Sequence, residues 1–100
     1  MARCFVIESF ADKNSEFVWK GELAKKLPRD IQAEALEVLT ILNNIKSLND
    51  FVFMPGLKAH KLGGDRRGTW SLTIRGPWRV TFFWDEARQI ATQVRIEDYH

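Results

Sequence analysis

The sequence predicts an α+β fold, with an N-terminal strand and two helices on one face of a mainly antiparallel sheet. Three observations predict it. Ile31, Ala35, Val38, Leu42 and Ile45 fall at spacings of four and three, which is one apolar stripe of a helix. From Leu57 onward the pattern changes to period two, as in half-buried strands. The links between those later runs are short, which favours antiparallel neighbours over crossovers. A chain of 100 residues, 45% hydrophobic and 28% charged, is expected to form one domain over 1–100, with no room for two cores.

Each element has a local reason. Cys4-Phe5-Val6-Ile7 is a short apolar run that reads as the first strand. Asp12 or Ser15 can cap the helix that follows, patterned by Phe17 and Val18 and ending between Gly21 and Leu27. Pro28 disfavours helix at the residue before it and suits a first helical turn, so the second helix starts there. Leu36 and Leu39 widen its stripe, and Asn43-Asn44 with Ser47-Leu48-Asn49-Asp50 supply stop and turn signals. A strand is expected within Leu57–Leu62. Trp70, Leu72 and Ile74 mark the next, and Gly76-Pro77 turns the chain into Trp78, Val80, Phe82 and Trp84. After Asp85-Glu86 the last strand carries Ile90, Thr92, Val94 and Ile96.

Composition excludes several classes of function. Cys4 is the only cysteine, so neither an intrachain disulfide nor a four-thiolate zinc site is possible. No His/Cys/Asp/Glu cluster has convincing ligand spacing, so neither metal nor cofactor is expected. There is no apolar run of membrane-spanning length and no signal-peptide pattern, which makes the cytoplasm the expected compartment.

The net charge of +2 is unevenly placed. Residues 1–56 carry seven Lys/Arg against eight Asp/Glu, whereas residues 57–100 carry eight against five and both histidines. Strand parity sends Arg75, Arg79 and Arg95 to the sheet face away from the helices. An ordinary solvated sheet face and an oriented phosphate-binding face both fit that pattern. Trp70, Trp78, Phe82 and Trp84 obey the opposite parity and are expected in the core.

Local motifs sharpen the choice. Leu57-Lys58-Ala59-His60 runs into Gly64-Asp65-Arg66-Arg67-Gly68-Thr69-Trp70-Ser71; a strand reads Trp78-Arg79-Val80-Thr81-Phe82; the chain closes on Glu97-Asp98-Tyr99-His100. This ordered set, over residues 57–100, resembles the HigB-type toxins of the RelE superfamily, also called plasmid maintenance killer proteins. The resemblance implies a helical pair packed on a twisted, mainly antiparallel sheet. It also implies a ribosome-dependent endoribonuclease that cuts mRNA in the A site and inhibits translation and growth. The implied partners are a helix-turn-helix (HigA-like) antitoxin, the small ribosomal subunit and mRNA, with operator DNA met only through the antitoxin and no membrane contact. A relative that acts mainly as an antitoxin-binding corepressor, or a module that blocks the ribosome without cutting, are the alternatives.

The family's functional positions fall on His60, Arg79, Asp98, Tyr99 and His100, the expected catalytic set. Metal-free RNA cleavage takes its nucleophile from the ribose 2′-OH, so the protein must move protons and stabilise an anionic phosphorane. Histidine titrates nearest neutrality and suits either proton role, and arginine presents forked donors to phosphate. Asp98 can act as base or orient a histidine, and Tyr99 can stack, orient the ribose or relay a proton. Many relatives carry Pro directly after this histidine and Lys three positions after it, where this chain has Lys61 and Gly63. Lys61, Arg67 and Lys58 are the candidate substitutes, and Arg75 and Arg95 further phosphate contacts. Asp65 and Arg66 are expected to make a turn or ion pair.

Overall fold

The computed structural model describes residues 6–98. Two helices, α1 (Lys13–Trp19) and α2 (Arg29–Asn44), precede four strands: β1 (His60–Lys61), β2 (Thr69–Arg75), β3 (Trp78–Asp85) and β4 (Ile90–Asp98). The strands lie in the order β1-β2-β3-β4 and every neighbouring pair is antiparallel. Single 3-10 turns fill Leu48–Phe53, Pro55–Leu57 and Gly64–Arg66.

The expected N-terminal strand is reduced to two bridges. Cys4 and Phe5 lie outside the described residues, and beyond them the chain runs parallel to β4 through Ile7–Ala91 and Phe10–Val94. Between those bridges β4 bulges at Gln93, whose φ is 52° and whose N–H is taken by Ser9 Oγ at 3.0 Å. A ladder cannot stay regular across a bulged residue, so pairing is interrupted there.

Of the two candidate caps, Asp12 caps α1, accepting from the Ser15 N–H at 2.8 Å. Ser15 is buried instead and accepts the Ile96 N–H at 2.8 Å, pinning the helix start to the rim of β4. The helix stops at Trp19, followed by Gly21 at φ +81°, a left-handed position suited to glycine. The α1–α2 link is held by Gln32, whose Nε2 donates to the Ala24 and Leu27 carbonyls at 2.9 and 2.8 Å. Pro28 stands at the N-cap of α2, as its fixed φ dictates. The predicted stripe of Ile31, Ala35, Val38, Leu42 and Ile45 is buried together with Leu39, while Leu36 is half-buried at its margin. At the far end Asn43 Oδ1 accepts from the Val6 and Ile7 N–H groups at 3.1 and 3.0 Å, clamping the N-terminal segment.

The core lies between these helices and one face of the sheet, where Leu39 and Leu42 meet Leu72, Val80, Phe82 and Val94. Trp84 is buried and Trp70 and Trp78 pack against the cluster, as parity requires. Two expectations need correction. The strand placed within 57–62 shrinks to two residues, because the Pro55–Leu57 turn and a left-handed Lys58 (φ 48°) consume its start. Arg75 does not join the outer face. A register shift between Thr73 and Arg75 breaks the alternation, and Arg75 reaches Asp30, at 3.1 Å, and Glu34 on α2.

Candidate functional site

The face of the sheet turned away from the helices carries the polar residues in rows set by strand register. His60, Ser71, Thr81 and Arg95 are successive cross-strand partners from β1 to β4. Directly opposed residues share a face, so these four side chains form one line. Thr73, Arg79 and Glu97 form the adjoining row on one side, and Thr69, Phe83 and Thr92 on the other. Ser71 and Thr81 are 1% and 2% exposed although they sit on the polar face. The cover includes Arg66, which lines a cavity of about 290 Å³ on this face together with Thr69, Thr81, Phe83, Gln93 and Arg95.

Glu97 is the centre of this arrangement. Arg66 grips it with two bonds, Nη1 to Oε1 at 3.2 Å and Nη2 to Oε2 at 2.7 Å, and the Thr81 hydroxyl donates to Oε2. Burial pushes the Glu97 carboxyl up, but the hydrogen bonds from Arg66 and Thr81 and the charges of Arg66 and Arg95 outweigh it. The net result holds Glu97 below the usual carboxylate value. The Arg66 ion pair was legible as a possibility, but its acceptor was not. The partners stand 31 residues apart, and only the outward parity of Glu97 beside Thr81 hints at the contact.

His60 lies exposed on the edge strand, its Nδ1 3.0 Å from the Lys58 carbonyl. A carbonyl can only accept, so in this contact Nδ1 carries the proton and the lone pair of the neutral ring sits on Nε2. Lys58 thereby bears on the site through its backbone, in the left-handed conformation that aims its carbonyl at the ring. Arg79 stands in the next row. Its Nη1 donates to the Trp78 carbonyl at 3.0 Å and to the Gly76 carbonyl, which folds the guanidinium back over the β2–β3 turn. Strand geometry puts the two Cα atoms roughly 12 Å apart on a common face, two strand spacings across and one two-residue step along. Arg95 closes the row at the other edge, its Nε 3.5 Å from Asp12.

The remaining expected residues divide. Arg67 follows the Gly64–Arg66 turn at the entry to β2 and is exposed. Lys61 is in register with Trp70, on the opposite face from His60, so the two do not form one cluster. Asp98 pairs with Trp78 and therefore also has the helix-side register, while Glu97 beside it faces outward. Tyr99 and His100 lie outside the described residues. No group of three or more His, Cys, Asp or Glu that could hold a metal occurs among the described residues.

Comparison with known proteins gives a consistent picture. Residues 8–100 match the family of RelE-like toxins of the type II toxin–antitoxin system HigB. The chain is 31% identical over 98 residues to Endoribonuclease HigB of Proteus vulgaris, covering 95% of this chain and 100% of the relative. In structure it resembles a chain of the toxin–antitoxin complex RelBE2 from Mycobacterium tuberculosis, with a TM-score of 0.52 and 19% identity over 96% of this chain and 98% of the other. That likeness supports the α+β fold read from the strand and helix pattern, and its RelE-like form, which the motif resemblance implies.

Proposed function

Because the chain belongs to the HigB group of RelE-like toxins of type II toxin–antitoxin systems, we propose that it is a ribosome-dependent endoribonuclease that cleaves A-site mRNA without metal. The observation that carries this reading is a row of side chains on one sheet face, with His60 at one end, Arg95 at the other and Arg79 in the adjoining row. In the proposed reaction the ribose 2′-oxygen attacks the adjacent phosphorus, a cyclic phosphate forms, and the bond to the departing 5′-oxygen breaks. His60 Nε2 takes the 2′ proton or, once protonated, returns one to the 5′-oxygen. Arg79 swings from the turn carbonyls onto the phosphate and holds the anionic transition state. Asp98, Tyr99 and His100 complete the set by resemblance to the family, His100 sharing the proton work with His60.

The fold is also that of a toxin solved with its antitoxin, and we assign this chain a helix-turn-helix antitoxin partner and a cytoplasmic site of action. No described helix is long and apolar enough to cross a membrane. Mapping mRNA 5′ ends on programmed ribosomes tests the reading. Wild type should generate new ends inside the A-site codon, and Arg79→Ala should lower the rate by about 10²–10³. Intact mRNA across several codons with antitoxin-free wild type overturns it. Gly63, where relatives carry lysine, favours one second reading, a ribosome-binding module that arrests translation without cutting. Growth arrest that persists in Arg79→Ala with no new 5′ ends would select it.

A further inference from the structure

Phe83 is the aromatic residue of the β3 outer face, and the cleavage scheme does not use it. It follows Arg79 and Thr81 on that face at two-residue steps, about 13 Å along the strand from Arg79. The residue is 46% exposed, although the surrounding face is built from Thr69, Thr81, Thr92 and arginine. An aromatic here adds nothing to the core, which lies on the other side of the sheet. The ring is nevertheless seated: a Cβ placed on Gly68, at φ +91°, would come within 2.7 Å of Phe83 Cε1. Glycine thus lets the β2 entry lie directly against one edge of the ring. Beside it opens the cavity lined by Arg66, Thr81, Gln93 and Arg95.

A flat aromatic surface next to fixed guanidinium groups matches a nucleotide, with base on ring and phosphate on cation. We propose that Phe83 is a stacking platform for an RNA base flanking the cleaved phosphate, with Arg95 and Arg66 bordering the adjacent backbone. Phe83 lies four positions along the strand from Arg79, a span bridged by a short run of single-stranded RNA. Stacking is indifferent to which base is present, so Phe83 positions the strand and leaves codon choice to other contacts. Exposed Val52 and Phe53 are comparably apolar, but they lie on the Leu48–Phe53 turn, outside the polar rows.

The inference rests on the proposed RNA cleavage, and the test separates the two. Wild type, Phe83→Leu and Phe83→Tyr are compared for cleavage of A-site mRNA on programmed ribosomes, with thermal unfolding as a control for folding. Phe83→Leu should raise KM or lower kcat/KM about 10- to 100-fold while Tm holds, and Phe83→Tyr should restore the wild-type value. In a second arm, mRNA carrying 5-iodouridine at single positions is irradiated with each protein. One position should cross-link to wild type and lose the cross-link in Phe83→Leu. If wild type cuts and Phe83→Leu cuts with unchanged constants, the platform is refuted while cleavage stands. If wild type leaves mRNA intact, cleavage is refuted and the cross-link alone decides the platform, its absence ending the proposal. If Phe83→Leu weakens only antitoxin binding, the face serves a protein partner and the inference falls.

Discussion

The two faces of the sheet are made by the same strands and differ in what their burial accomplishes. On the helix side, Leu72, Val80, Phe82 and Val94 are apolar, fully buried and part of the core shared with the helices. On the outer side, Ser71 and Thr81 are buried just as deeply, yet they carry hydroxyls and neighbour Glu97, Arg66 and Arg95. Apolar burial returns transfer free energy directly, whereas a buried polar group contributes only if its partners are in place. The helix side therefore holds the fold, and the outer side holds a charge arrangement. Substitutions on the two faces should differ in size, in pH dependence and, at one position, in sign.

The largest effect is expected on the helix side. Phe82 is fully buried and meets Trp84 edge-to-face at 6.3 Å. Phe82→Ala should cost about 3–5 kcal/mol, measured by denaturant or thermal unfolding. A loss below about 1 kcal/mol would mean that the outer face carries more of the stability than its composition implies.

Next comes Glu97. Glu97→Gln keeps the shape but removes the charge that Arg66 and Thr81 bind, and should cost about 1–3 kcal/mol at neutral pH. Because the folded-state pKa is lowered, the unfolded chain takes up the proton first as pH falls. The carboxylate's contribution is complete above the unfolded value of about 4.3 and disappears as pH drops through the lower folded value. Wild type and Glu97→Gln should thus differ at pH 7 and converge in acid. A gap that stays constant with pH would assign the loss to packing.

How much of this was legible follows from the same contrast. The α2 stripe, the Pro28 boundary and the tryptophan parity could be read from residues a few positions apart, because helix and strand periods are local. The outer face depends on registers and bulges. The shift at Thr73/Arg75 carried one arginine to α2, and the shift at Thr81/Phe83 broke the N-terminal pairing. Arg79 and Arg95 reached a common face as parity suggested, and the register of β1 adds His60 to it, but Lys61 and Asp98 fell on the other side. Glu97 stands in the closing motif, but its pairing is not legible there because its principal partner, Arg66, is 31 residues away in sequence.

Arg75 offers a smaller test, since it is an arginine that parity assigned to the wrong side. Its links to Asp30 and Glu34 are half-exposed, so Arg75→Ala should cost less than about 1 kcal/mol. Under the proposed cleavage it should also leave the rate on programmed ribosomes at the wild-type level, in contrast to Arg79→Ala. A rate loss as large as that of Arg79→Ala would place Arg75 back among the phosphate contacts.

The smallest expected effect has the opposite sign. Ser71 Oγ is buried between His60 and Thr81 with no hydrogen-bond partner among the described residues. A buried hydroxyl without a protein partner carries a desolvation cost that no protein hydrogen bond offsets, so deleting it removes a penalty. The serine Cβ stays in place in Ser71→Ala, and the gap left is a single oxygen. Ser71→Ala should therefore leave stability within about 0.5 kcal/mol of wild type or raise it by about 1 kcal/mol, read from paired unfolding curves. The apolar side chains of Leu72, Val80, Phe82 and Val94 on the helix side allow no such outcome, because every atom removed from them takes favourable contacts with it. A loss above about 1 kcal/mol in Ser71→Ala would show that the outer hydroxyls are bonded and stabilising, and the distinction between a face that holds the fold and a face that holds a site would fail at its most deeply buried row.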